Sequence, residues 1–371
     1  MSTLKIGTFA QIPVKIHWTF SLLLLFVVGM GFYQGMNAVQ IAFYGLFVLA
    51  VFFCVILHEY GHALAARKYG IRTLDIIISP IGGLARLEKL PDRPLQELIV
   101  AIAGPLVNVA IALLIGIPLL IYYQDINLLI PDQEFDTLTQ LPGFLTLLVM
   151  INGVLFLFNL IPAFPMDGGR ILRAALSFKM GRFRATKVAS SVGRILAVVF
   201  VGVALMYENY TLILIGIFVF IMAKNENEQV KIEHILSQYK ATQLLNPFYT
   251  KIHIGEPLQN IIRRYVVTGE HNFLVFNSLG YVAGVIPELF IRDAINNVSD
   301  PEATASTIMS TKYTSVTSDI SLNDLFFKMN KEGLAIVGVE RDGQLLGVID
   351  RERLQNFIEM YSPSKRSFGL F

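Results

Sequence analysis

A single cysteine, Cys54, occurs in 371 residues. That excludes an intrachain disulfide framework and fits a membrane facing a reducing compartment. Charge is nearly as scarce: Asp, Glu, Lys and Arg make up 16% of the chain, against about a quarter in an ordinary soluble domain. The formal net charge is +2 and no basic tract is present, so nothing points to nucleic acid. No cleaved signal peptide is expected, because the apolar run after Trp18 is too long and lacks a small-residue cleavage site.

What the chain has instead is apolar length, with 54% hydrophobic residues. Runs at 17–35, 40–66, 97–123, 144–164, 190–206 and 210–223 predict six membrane-spanning helices, the last two short against the roughly 20 residues a span needs. Lys5 and Lys15 precede the first run, Arg67, Lys68 and Arg72 follow the second, and six Lys or Arg residues between Arg170 and Lys187 follow the fourth. Lys224 follows the sixth, and the intervening loops carry no Lys or Arg. The positive-inside rule then places both termini in the cytosol. Three segments follow the membrane domain 1–223: a linker helix at 224–243 and two similar units at 244–298 and 299–371. Each unit reads strand, helix, strand, strand, helix and closes its strand pair on Gly-Val-Ile.

The stretch "VILHEYGHALAARKYG", from Val55 to Gly70, carries the chemistry. His58 and His62 are four residues apart, so they share one helical face about 6 Å apart along the axis. Two imidazoles so spaced can hold one zinc ion, and Glu59 between them can act as general base on water. A carboxylate at bilayer depth costs roughly 2.5–3.5 kcal/mol on insertion scales, which makes Glu59 a functional candidate. A hydrolytic zinc site needs a third protein ligand. Asp167, three residues before Arg170 in "NLIPAFPMDGGRILR", lies at the same side and depth as His58, which precedes Arg67 by about 13 Å of helix. Asp167 as a mere helix cap is the other reading. Pro162 and Pro165 interrupt the fourth span, and Gly168–Gly169 would let backbone approach a metal. Asn159 could offer its amide to substrate or to a developing oxyanion, or simply bond between helices.

Together "HEYGH", "AGPLVN" at 103–108 and "NLIPAFPMDGGR" at 159–170 resemble the site-2 protease family of intramembrane zinc metallopeptidases, over about residues 1–223. The resemblance implies that His58, His62 and Asp167 bind one zinc ion per chain and that Glu59 is the general base. It also implies that Asn159 and Pro165 contact or admit substrate. "IRTLDIIISPIGGLARLEKL" reads as two strands with a turn at Gly82–Gly83, and in the family this segment dips into the membrane. A substrate segment that unwinds could add to its edge as a strand, which puts Gly82 and Gly83 on the substrate path. A hairpin lying at the membrane surface is the alternative.

The tail resembles a pair of CBS domains, which implies a homodimer. The fold expected is therefore an α-helical polytopic membrane protein with a membrane-dipping β-hairpin, joined to an α/β cytosolic CBS pair. CBS pairs commonly hold an adenine nucleotide through a hydroxyl and an acid after the Gly-hydrophobic-hydrophobic segment. Pro287 and Asp350 replace the hydroxyl here, and Phe290 and Arg353 replace the acid. The expected function is hydrolysis of peptide bonds within or near the transmembrane segments of membrane proteins, single-span ones above all. A CBS-gated transporter or channel is the rival, and it should spread acidic groups through the membrane depth. Cys54, one turn before His58, is expected to pack in the core and Trp18 to anchor at the headgroups. His234, His253 and His271 lack partner spacing and are expected to face solvent.

Overall fold

The computed structural model describes residues 3–91, 93–123, 139–297 and 302–361. Most of the Lys- and Arg-free loop after the third run, and the chain beyond Tyr361, lie outside the described residues. Two compact units divide the chain, Met1–Asn227 and Glu228–Phe371.

Among the described residues of the chain, five helices are long and apolar enough to cross a membrane: α2 (Ala38–Arg67), α3 (Pro94–Tyr123), α4 (Leu141–Asn159), α6 (Arg182–Met206) and α7 (Tyr210–Ser237). The first expected span is the shorter α1 (Thr19–Tyr33, 15 residues), because His17 is taken into a strand that precedes it. At 1.5 Å per residue α1 covers about 22 Å of a hydrocarbon core of about 30 Å. α2 starts where Asn37 accepts from Gln40 N–H at 2.9 Å and Gln40 returns the bond, a reciprocal cap. The sixth run and the linker are one element, since α7 continues to Ser237 without a break. α5 (Asp167–Met180) is a short helix between α4 and α6.

Four strands, not two, form the sheet of this unit. A hairpin at the start of the chain, β1 (Thr3–Phe9) and β2 (Ile12–His17), adds to β3 (Thr73–Ser79) and β4 (Gly82–Leu87) in the order β1-β2-β3-β4. The pairing β2–β3 is parallel and the other two are antiparallel. Ala10 and Gln11 turn the first hairpin with φ of 48° and 64°, a conformation usually signalled by Asn or Gly, so this turn had no sequence marker. The second turn falls at Pro80–Ile81, with Ser79 opposite Gly82. Gly82 and Gly83 are thus the first residues of β4 and not the turn itself. Ile12, Val14, Ile76 and Ile78 bury the inner face of the sheet with Phe20 and with Ala63 of α2.

A buried charge fixes the register of β4. Asp75, 1% exposed, accepts from Arg86 Nε and Nη2 at 2.6 Å each and from Lys15 Nζ at 2.6 Å, which ties β2, β3 and β4 together. The Arg86 guanidinium holds the Asp75 carboxyl below its ordinary range. Asp75→Asn is expected to cost about 1.5–3 kcal/mol, the range for hydrogen bonds to charged groups, read as a lowered unfolding midpoint in detergent. An unchanged midpoint would show that the clamp is dispensable.

The second unit contains two three-stranded sheets. β5 (Lys251–His253), β6 (Phe273–Phe276) and β7 (Val282–Ile286) form one, with α8 (Leu258–Thr268) and α9 (Glu288–Asn297). After the short α10 (Ala305–Ile308), β8 (Ser315–Thr317), β9 (Ile336–Arg341) and β10 (Gln344–Asp350) form the other, with α11 (Leu322–Glu332) and α12 (Arg351–Tyr361). Gly269 and Gly333 end α8 and α11 alike, at φ of 68° and 67°. The two cores cross the chain order. Ile232, Leu236 and Ala241, which precede the first module, are buried with Val316, Leu325 and Ile349 of the second. Ala305, which follows the first module, joins Ile252, Phe273 and Ile291.

Candidate metal centre

His58 and His62 lie on the inner face of α2, 6% and 4% exposed, and Asp167 is the first residue of α5, 6% exposed. Asp167 Oδ2 stands 3.2 Å from His58 Nε2 and 3.0 Å from His62 Nε2, and the two imidazole nitrogens are 3.1 Å apart. Residues more than a hundred positions apart thus place three donor atoms in one small triangle. The rings meet edge to face with centroids 4.7 Å apart. His62 Nδ1 lies 2.7 Å from the Val100 carbonyl of α3, so Nδ1 carries the hydrogen and the Nε2 lone pair faces the triangle. Met166 is the N-cap residue of α5 and Asp167 its first helical residue, with the Asp167 carboxylate against the two imidazoles.

The triangle fits zinc. Tetrahedral zinc with bonds of about 2.0–2.2 Å sets its donors about 3.3–3.6 Å apart, an opening of a few tenths of an ångström here. α3 leaves room for it at Gly104, where a Cβ would stand 2.8 Å from His58 Nε2 and closer still to His62. Gly168 and Gly169 serve a different purpose from the one expected. A Cβ at Gly169 would meet Ala163 and Phe164 backbone at 2.7–2.8 Å, and one at Gly168 would strike the Leu160 and Ile161 carbonyls. These glycines let the loop after α4 fold onto the start of α5, which sets Asp167 in place.

Glu59 points to the sheet edge. Its Oε2 accepts from Ala85 N–H at 2.9 Å, and its Cγ lies where a Cβ on Gly83 would come within 2.7 Å. β4 is therefore docked on the residue between the two histidines. Asn159 is the last residue of α4, half-buried, and its Nδ2 donates to the Leu155 carbonyl at 3.0 Å within its own helix. Pro165 is exposed, follows a cis peptide from Phe164, and stands two residues before Asp167.

Several buried polar groups were not singled out from the sequence. Glu97, 5% exposed, sits on α3 at the edge of the third apolar run. Its partner Arg173 of α5, 1% exposed, donates to Glu97 Oε1 from Nε at 2.6 Å and from Nη1 to Glu226 of α7. The signal for such a group is a carboxylate at the border of an apolar run, which reads equally well as the border itself. Asn152 is fully buried on α4, with Nδ2 donating to the Leu148 carbonyl at 2.8 Å, and Cys54 of α2 is buried as well. His271 is not simply solvent-facing: Nδ1 lies 3.1 Å from Glu288 Oε1 and Nε2 3.5 Å from Glu352 Oε2.

Residues 46–202 match the profile of peptidase family M50, and residues 305–359 match that of the CBS domain. The chain is 34% identical over 347 residues to a zinc metalloprotease of Methanocaldococcus jannaschii, covering 92% of this chain and 91% of the relative. Stage IV sporulation protein FB of Bacillus subtilis is 30% identical over 126 residues, 34% of this chain and 38% of that protein. Among solved structures, a site-2 protease from Methanocaldococcus jannaschii is 37% identical, with a TM-score of 0.44 over 61% of this chain and 95% of that one.

Proposed function

Because the chain belongs to peptidase family M50, the family of the site-2 proteases, and is an intramembrane zinc metalloprotease, we infer that His58, His62 and Asp167 are its zinc ligands and Glu59 its general base. The observation that carries this assignment is the convergence of His58 Nε2, His62 Nε2 and Asp167 Oδ2 within 3.2 Å of one another. Zinc held there supplies a Lewis acid that polarises the scissile carbonyl and acidifies water. Val100, through its carbonyl, keeps the His62 ring turned with Nε2 inward. Glu59 takes the proton of the attacking water as its oxygen bonds to the carbonyl carbon. The same carboxyl returns that proton to the amide nitrogen as the C–N bond breaks, leaving an amine and a carboxylic acid that then loses its remaining proton to solvent.

A transmembrane helix hides its peptide bonds, so the substrate must unwind before Glu59 can act. β4, from Gly82 and Gly83 onward, offers an edge to an extended segment beside Glu59. The Asn159 amide, released from Leu155, and the exposed ring of Pro165 are the proposed substrate contacts from the Asp167 side. The substrates are membrane proteins, and single-span segments suit one extended strand. The Lys and Arg distribution favours cytosolic termini. For the tail the reading is homodimerisation through the CBS modules. Asp350 Oδ1 accepts from Arg353 N–H at 2.6 Å at the start of α12, and Pro287 carries no hydroxyl, so an adenine nucleotide at the CBS pair would need contacts other than the usual ribose ones.

Zinc analysis of the purified chain together with cleavage of a single-span substrate tests the assignment. About one zinc per chain and chelator-sensitive cleavage are expected, and cleavage that survives complete zinc removal would refute it. A second experiment addresses the tail. Removing residues 241–371, with Ile232→Ser and Leu236→Ser to keep the uncovered face of α7 soluble, is expected to change cleavage rate or substrate choice at undiminished zinc content. Identical rates on a native substrate would leave the tail without a regulatory role.

A further inference from the structure

Arg173 takes no part in the chemistry above, yet among the described residues it is the largest fully buried side chain. It stands six residues after Asp167 on α5. The guanidinium also lies 5.1 Å from the ring centre of Phe164, three residues before Asp167. Phe164 is itself 1% exposed. The group therefore grips the chain on both sides of Asp167, the helix after it through its own backbone and the loop before it through a ring face.

Its two carboxylate partners come from different helices. Glu97 belongs to α3, the helix that also turns its Val100 carbonyl to His62 and its Gly104 to both imidazoles. The clamp thus ties the aspartate-bearing helix to the helix that orients the histidines. Glu226 belongs to α7, and that helix runs on past it to Ile232 and Leu236, which are buried in a core of the CBS unit. A charge buried this deeply holds only while its partners stay in place. A shift of α7 by a fraction of a helical turn would leave the guanidinium underpaired, and the strand of chain that it grips is the one carrying Asp167.

We propose that Arg173 is a positioning residue that sets the Asp167 carboxylate against His58 and His62, and that its bond to Glu226 makes this setting depend on α7. The inference rests on the zinc-ligand assignment above. It makes α7, the helix that continues into the C-terminal unit, the lever through which the state of that unit can reach the metal site.

The test uses the full-length chain in detergent, with cobalt in place of zinc as a spectroscopic probe and a competing chelator to rank zinc affinity. Glu226→Gln keeps the side-chain shape and removes only the charge. The expected result is a shifted cobalt absorption spectrum and zinc binding about tenfold weaker, at the lower end of what outer-shell partners of metal ligands contribute. Plain helix glue would lower thermal stability but leave the cobalt spectrum of the folded protein unmoved. Arg173→Lys, which keeps the charge but loses the planar fork whose separate nitrogens reach Glu97 and Glu226, is expected to act in the same direction and carries the test if Glu226→Gln does not fold. A folded variant with wild-type spectrum and wild-type zinc affinity overturns the clamp alone. A wild-type chain that takes up no cobalt overturns the ligand assignment and the clamp together.

Discussion

Glu59→Gln is expected to keep its zinc and lose proteolysis, by about 10²–10⁴-fold in rate, the usual contribution of a positioned general base. The substitution is unusually clean here. Ala85 N–H donates to Glu59 Oε2, and a glutamine carbonyl can accept the same bond, so β4 stays docked on α2. The proposed zinc ligands are His58, His62 and Asp167, and the short contacts that join them do not involve Glu59. Only the capacity to accept a proton is removed. Single-turnover cleavage of a purified membrane substrate, with zinc content measured on the same sample, reads both halves of the expectation. Retained cleavage would assign the proton to another group.

Asp167→Ala is expected to lose zinc as well as activity. Two imidazoles alone leave the site one ligand short of the three that catalytic zinc sites use. The loss in affinity should exceed the roughly 10–100-fold that removal of an outer-shell partner produces. α5 loses an acidic residue in its first turn in the same change, worth only about 0.3–1 kcal/mol, so the fold should survive. Asp167→Asn restores the size but not the charge and should still bind zinc weakly. Stoichiometric zinc in Asp167→Ala after mild chelation would mean that another residue supplies the third ligand.

The candidate metal site was legible in the sequence because its proposed chemistry demands particular side chains at particular spacings, in a background where charge is costly. An i, i+4 pair of histidines flanking a glutamate stands out from an apolar helix, and Asp167 stands out beside two prolines and two glycines. Arg173, Glu97 and Glu226 carried no such mark. Glu97 and Glu226 lie at the borders of apolar runs, where Glu reads as the edge of the lipid, and Arg173 lies in the basic stretch after the fourth run, where Arg reads as topology. Their pairing spans 76 and 53 residues and exists only once three helices pack. The first hairpin escaped notice for another reason, since Ala10 and Gln11 turn without the residues that usually announce such a turn. The choice between a protease and a CBS-gated transporter, open on motifs alone, is decided by the match across 92% of the chain to a metalloprotease.

The crossed cores of the C-terminal unit bear on how the chain is made. Ile232, Leu236 and Ala241 leave the ribosome before the first CBS module, but Val316, Leu322 and Leu325, which bury them, follow Ala241 by about 75–85 residues. At about 5–20 residues per second this apolar ridge waits roughly 4–17 s for its cover, beside the membrane from which α7 has just emerged. A message cut short anywhere within the first module would carry the proposed zinc ligands and Glu59 together with a ridge that is never covered. Such a product keeps apolar surface exposed that the full-length chain buries, and it is expected to be prone to aggregation.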